Sequence, residues 1–281
     1  MEAPSKDHQD LLRINAKTVR NLLVQFLKDE TAAAGFSKGI VGLSGGVDSA
    51  VVAYLTAEAL GKKNVLAVIM PARTSSKESV EDAQLVAKEL GIHSELVDIS
   101  PMVDAYCEPR KISDRVRVGN VMARMRMIVL YDVSAREKAL VIGTSNKTEL
   151  MVGYGTQFGD MACALNPIGD LYKTQVWQLA KELGVPEKII AKKPTADLWP
   201  GQTDEGELGI LYKDLDALLY AMIDERRTGE ELEKLGFRPK TIDKVREMVR
   251  RSQFKRRPPI LAKVSYRTAN VDFRYARDWG V

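Results

Sequence analysis

Apolar residues recur at helical spacing through residues 11–28, with Leu11, Leu12, Ile14, Val19, Leu22, Leu23, Phe26 and Leu27 on that pattern. Gly35 punctuates the end. Gly39-Ile40-Val41-Gly42-Leu43 then reads as a short buried strand, and Ser49–Leu60 as a helix stopped by Gly61. Val65–Met70 predicts a second strand. Ser75 and Glu78 form a capping-box pattern ahead of a helix carrying Val80, Ala83, Val86, Ala87 and Leu90 on one face, ended by Gly91. Ile92–Ile99 predicts a third strand, 118–138 a long helix and Ala139–Ile142 a fourth strand. Strand and helix alternate, so the expected class is α/β, a doubly wound, mostly parallel sheet flanked by helices.

The second half changes character. Helices are expected at about 173–183, 213–224, 228–235 and 240–252. Between them, 155–170 and 192–210 are loop-like and rich in Gly, Pro, Asp and Thr. Long loops inside a compact domain are usually functional or disordered. The tail, 255–281, is basic, aromatic and weakly periodic. No internal repeat is evident, and the 281 residues fit a single domain, 1–281.

Composition narrows the chemistry. Two cysteines, Cys107 and Cys163, exclude a disulfide framework and a cysteine zinc site, and suit a reducing cytoplasm. With 42 basic and 38 acidic residues the net charge is +4, too balanced to imply nucleic acid, though compatible with an anionic substrate. No apolar run is long enough to span a bilayer, and MEAPSKDHQD is too polar for a signal peptide. His8 falls in that polar start and His93 in a predicted strand, where a structural role is expected. Mechanisms that need a histidine base or a histidine-rich metal site are therefore disfavoured.

The stretch Gly42-Leu43-Ser44-Gly45-Gly46-Val47-Asp48-Ser49 joins the first strand to a helix. Free N–H groups and the helix dipole favour an anion there, and glycines let backbone approach it. Neither the Walker pattern nor the dinucleotide fingerprint is present. Asp48 would repel phosphate unless a divalent cation lay between them. A glycine turn with an N-capping serine is the plain structural alternative.

Three further stretches carry chemistry. Gly143-Thr144-Ser145-Asn146-Lys147-Thr148-Glu149 lies at the carboxyl end of the fourth strand, where open α/β sheets bind ligands. Gly169-Asp170-Leu171-Tyr172-Lys173-Thr174 places Lys173 at a helix start, against the dipole. KPTADLWPGQTDEGELG, 193–209, combines Trp199 with four carboxylates. Taken singly, these could be a polar helix start, a solvated lysine and an acidic surface loop.

S-G-G-x-D-S after a strand resembles the pyrophosphate loop of the ATP pyrophosphatase superfamily. With GTSNKTE, IGDLYKTQV and KPTADLWPGQTDEGELG in order, residues 15–257 resemble NAD synthetases of the ammonia-dependent type; 258–281 form a tail with no matching pattern. The resemblance implies a Rossmann-like sheet and ATP-dependent amidation of deamido-NAD through an adenylated intermediate. It implies that Gly42, Leu43, Ser44, Gly45, Gly46, Val47, Asp48 and Ser49 hold ATP phosphates, with Lys173 and Thr195, and that Thr144 contacts ATP. Asp48 and Glu149 would bind Mg²⁺, with Asp48 and Lys173 as catalytic residues. Arg124, Gln157 and Lys255 would contact deamido-NAD, whereas Arg126 faces elsewhere on its helix and is expected to be structural. The loops around 73–80 and 202–210 would close on substrate.

The chain departs from that pattern at Gln157, Ala164 and Phe254, all on the dinucleotide side. Only about 38 residues precede the first strand, too few for a glutaminase domain. Free ammonia is the expected donor, with a separate glutaminase partner left open. Cys163, with no histidine near it in sequence, reads as packing. A homodimer through 118–138 is implied. The rival is another enzyme of the superfamily, adenylating a different acid or an RNA base; the basic run 250–257 is the feature that an RNA reading would use.

Overall fold

The computed structural model describes residues 11–199, 201–269 and 272–273. His8 and Pro200 lie outside the described residues, as do 270, 271 and 274–281 of the tail. Four strands, β1 (Gly39–Gly42), β2 (Val65–Ile69), β3 (His93–Leu96) and β4 (Leu140–Ile142), form a parallel sheet in the order β3-β2-β1-β4. Ile40 lies opposite both Leu66 and Val141. The chain winds outward from β1 through β2 to β3, then returns across β1 to lay down β4. The order reverses at β1, and that reversal opens a crevice at the carboxyl ends of β1 and β4.

Alternation along the strands divides the core. Val41 points to a layer containing Leu27 of α1 (Ala16–Ala33), Val51 and Leu55 of α2 (Val47–Leu60), Val86 of α3 (Lys77–Leu90) and Leu179 of α7 (Lys173–Leu183). Ile40, Leu66 and Val68 point to the other face. There they meet Val103 of α4 (Ser100–Cys107) and Met122, Val129 and Val133 of α5 (Arg115–Glu137). Both faces are covered, which is why every residue of β2 is buried. A further core joins α10 (Tyr212–Leu219), α11 (Gly229–Lys234) and α12 (Pro239–Arg251) through Leu215, Leu218, Leu232, Ile242 and Val245.

Some boundaries differ from expectation. The third strand is shorter, because it is an edge strand whose residues are largely exposed, His93 included. The first long helix begins at Ala16, capped by Asn15, rather than at residue 11. Helix α3 is capped by Ser76, whose hydroxyl accepts from the Ser79 amide, while Ser75 accepts from the Ala72 amide. Helix α4 was not anticipated, nor were the short helices α8 (Glu187–Ile190) and α9 (Asp204–Leu208), while α6 (Lys147–Val152) begins at the polar helix start offered for 143–149. In the tail, Ile260, Val264 and Tyr266 are exposed.

Candidate active site

Helix α2 starts at Val47 with Gly46 as its N-cap and no side-chain capping bond. The capping-serine alternative therefore fails. Ser49 Oγ accepts from the Ser44 amide at 3.2 Å and donates to the Gly46 carbonyl at 3.0 Å, bracing the loop. Gly45 adopts φ +78° and packs against the Ser79 carbonyl, where a Cβ would collide with backbone. The loop is shaped by its own hydroxyls, and the first-turn amides of α2 make no side-chain cap bond that an anion would have to displace.

Asp48 projects from the first turn of α2 into a buried polar group. Asn146 Nδ2 donates to its Oδ1 at 3.0 Å, and the Lys173 ammonium bonds its Oδ2. Asn146 is also the N-cap of α6, where it forms a reciprocal capping box with Glu149. Lys173 Nζ lies 3.6 Å from Glu149 Oε1. One lysine thus sits between two carboxylates carried by different elements. Burial opposes the Lys173 charge, but Asp48 and Glu149 outweigh it and hold the ammonium above its ordinary range. Burial, and then the Asp48 charge, push the Glu149 carboxyl up, against the pull of Lys173.

Helix α7, which carries Lys173, is fixed from behind. The Lys173 amide donates to Thr148 Oγ1 at 3.0 Å, and that hydroxyl donates to Asp216 Oδ1 at 2.6 Å. The Thr174 amide donates to Asp216 Oδ2 at 2.8 Å. Asp216 is wholly buried. Burial pushes its carboxyl up to about 6, although the bonds from Thr148 and Thr174 pull the other way.

These groups open into one cavity of about 570 Å³ at the carboxyl ends of the strands. Of the expected phosphate-loop residues, Gly42, Leu43, Ser44, Gly46, Val47, Asp48 and Ser49 line it; Gly45 does not. Thr144, Glu149, Lys173, Thr195 and Lys255 line it too. Arg124 and Gln157 do not: Arg124 is exposed and donates to the Gln157 carbonyl at 3.3 Å. Arg126 does line the cavity and donates to the Met70 carbonyl at 3.1 Å, so facing away from Arg124 turns it into the cleft. Cys163 packs behind Gly143, and burial pushes its thiol up, as expected of a packing residue.

Asp216 and Lys192 escaped the sequence reading, and Asn146 and Asp204, inside the stretches 143–149 and 193–209, were given no role there. Asp204 accepts from Tyr154 at 3.0 Å and Tyr212 at 3.1 Å, tying the acidic loop to the body. Across the cavity mouth the Ser76 amide donates to Asp197 Oδ2 at 2.9 Å, joining the loops at 73–80 and 193–203. The basic run turns inward in part. Lys255 donates to the Gly153 and Gly155 carbonyls at 2.7 Å, and Arg256 donates to the Leu150, Met151 and Val249 carbonyls.

Among the described residues no three His, Cys, Asp or Glu side chains converge as a metal cluster. Two carboxylates, Asp48 and Glu149, do converge. That donor set fits Mg²⁺, which commonly takes one or two carboxylates and completes its shell with phosphate and water. It does not fit zinc.

The NAD synthase family model matches residues 19–259. An NH(3)-dependent NAD(+) synthetase of Trichlorobacter lovleyi is 56% identical over 96% of this chain and 98% of its own length. A solved NMN synthetase from Francisella tularensis superposes with a TM-score of 0.79 at 32% identity, over 89% of this chain and 99% of that one. An NH3-dependent NAD synthetase from Campylobacter jejuni gives 0.77 at 34%, over 89% and 100%. With that match running through the phosphate loop, the Lys173 helix and the acidic loop alike, the chain belongs to the NAD synthase family.

Proposed function

We propose that this protein amidates deamido-NAD to NAD, consuming ATP and free ammonia and releasing AMP and pyrophosphate. The observation that carries the reading is the buried Asp48–Lys173–Glu149 group, set beside an uncapped helix N-terminus in a cavity of about 570 Å³. A carboxylate resists ammonia because its leaving group would be oxide. Its oxygen first bonds to the α-phosphorus of ATP as the α–β bridging bond breaks. Ammonia then bonds to the carbonyl carbon, the carbon–oxygen bond breaks, AMP departs and nitrogen sheds one proton.

The chain's own task is to bind, orient and exclude water. The amides of the 44–49 loop and the N-terminus of α2 receive phosphate, and Lys173 offers a fixed cation held by Asp216 through Thr148. A magnesium ion held by Asp48 and Glu149 would supply neutralisation of phosphate charge. The Ser76–Asp197 contact supports closure of the two loops over the substrates. Free ammonia as donor is supported by the likeness to an NH(3)-dependent relative over 98% of its length. Two unpaired cysteines favour a cytoplasmic setting. Among the described residues, no helix is long and apolar enough to cross a membrane. A homodimer through α5 is supported by Val116, Ile128 and Tyr131, all exposed on that helix; light scattering would show twice the chain mass.

The test is NAD formation from deamido-NAD, ATP and Mg²⁺, with ammonium or glutamine as donor, alongside AMP release. Product with ammonium alone is expected. A second reading, amidation of the mononucleotide, is favoured by the likeness to the NMN synthetase and by Arg124 and Gln157 lying off the cavity. A higher kcat/KM for nicotinic acid mononucleotide than for deamido-NAD would establish it.

A further inference from the structure

A second pair of lysines lies beside the phosphate loop. Asp82, on the inner face of α3, is wholly buried. Lys188 Nζ lies 2.6 Å from its Oδ1, and Lys192 Nζ 2.9 Å from its Oδ2. Burial opposes the Asp82 charge, but hydrogen bonds and charge from the two lysines outweigh it and hold the carboxyl below its usual range. The α3 turn that carries these groups abuts the loop. Gly45 rests on the Ser79 carbonyl, and Asp82 Cβ lies 3.1 Å from where a Gly45 Cβ would sit. Lys192 Nζ is also 3.3 Å from Ser79 Oγ.

Neutralising one carboxylate takes one lysine. Here there are two, and they are not equivalent. Lys188 is about half exposed and does not line the cavity; Lys192 is largely buried and does. Glu78 and Glu81 add their charge at Lys188, so the ammonium that faces the cavity next to the loop is that of Lys192. Asp82 fixes it there in advance, which lowers the ordering cost of binding an anion.

Resting on the reading of this cavity as one that splits ATP, we infer that Lys192 is a further phosphate-binding residue, holding the β- and γ-phosphates that leave as pyrophosphate. Lys192 reaches the anion from its seat on Asp82, and Lys188, outside the cavity, makes no contact with it. Lys173 and Lys192 then supply cations from two different elements.

Calorimetric titration with Mg²⁺–pyrophosphate tests this on wild type, Lys192→Met, Lys192→Arg and Lys188→Met, with thermal unfolding as a check on the fold. Lys192→Met is expected to weaken pyrophosphate binding roughly tenfold or more, the size of one charge-assisted hydrogen bond. Lys192→Arg should restore most of it, and Lys188→Met should leave it within about twofold, since the role is binding and not neutralisation. Equal losses in the two methionine variants would overturn the inference, as would an unchanged affinity in Lys192→Met. If Lys192→Met does not fold, Lys192→Gln takes its place under the same criteria. A wild-type protein that released no AMP with deamido-NAD and ammonium would remove the underlying reading and this inference with it. Wild-type turnover with an unaffected Lys192→Met would remove this inference alone.

Discussion

Replacing Lys173 by Met keeps most of the volume and removes the cation that contacts both Asp48 and Glu149. Breaking a buried ion pair from one side costs about 3–5 kcal/mol, because the partner charges remain without compensation. Unfolding entropy of about 2.1 cal/mol/K per residue turns that into a fall in Tm of about 5–8 °C for a chain of 281 residues. The loss should depend on pH. Burial and Asp48 already raise the Glu149 carboxyl above its unfolded value. A raised value means that stability is fully present at low pH and lost as pH climbs through the folded value. Without Lys173 the carboxyl rises further, so the variant should lose more at pH 8 than at pH 5. A second change, Asp48→Asn, removes one of the two stranded charges. The double variant should recover about half the loss or more, a strong departure from additivity, while remaining inactive. The assay is thermal and urea unfolding of metal-free protein at both pH values. An unchanged Tm in Lys173→Met, or strictly additive losses in the double variant, would refute the charge triad.

Gly45→Ala should destabilise by about 2 kcal/mol or more, because φ is +78° and the added Cβ meets the Ser79 carbonyl; urea unfolding measures it. Asp216→Ala strands the Thr174 amide and the Thr148 hydroxyl and should cost about 2–4 kcal/mol. Its folded carboxyl is raised to about 6, so the wild-type advantage is fullest below the unfolded value and declines as pH rises to 6; the difference in unfolding free energy should shrink from pH 4 to pH 7. If Glu149 holds Mg²⁺, binding must ionise a carboxyl that burial keeps raised. Mg²⁺ affinity should then increase with pH and proton release should accompany binding, visible by calorimetry in buffers of different ionisation enthalpy; binding with no proton release would remove Glu149 from the ligand set.

The sheet was legible because β1 and β2 are short apolar runs, β1 bounded by Gly39 and Gly42 and β2 followed by Pro71, and because both faces are covered. The loop at 42–49 was legible because a carboxylate among glycines at a strand–helix junction has few structural uses. Other features were not legible, because they depend on contacts between distant segments. Nothing local links Asn146 to Asp48, or Asp216 to the start of α7. Two residues apart on a helix differ by about 200°, so Arg124 and Arg126 were seen to face opposite ways. Which of them faces the cleft depends on how α5 packs on β1 and β2, and it is Arg126. Taken singly, the acidic loop could have been a surface segment, but Asp204 is buried between Tyr154 and Tyr212, a contact that no local pattern encodes.

The central claim is that the acid is activated by adenylation, and oxygen labelling tests it most directly. Deamido-NAD carrying ¹⁸O in its carboxylate is turned over with ATP, Mg²⁺ and ammonium, and the products are weighed by mass spectrometry. The account predicts one ¹⁸O in AMP, one in the amide of NAD and none in pyrophosphate. Label in inorganic phosphate with release of ADP, or unlabelled AMP, would contradict it.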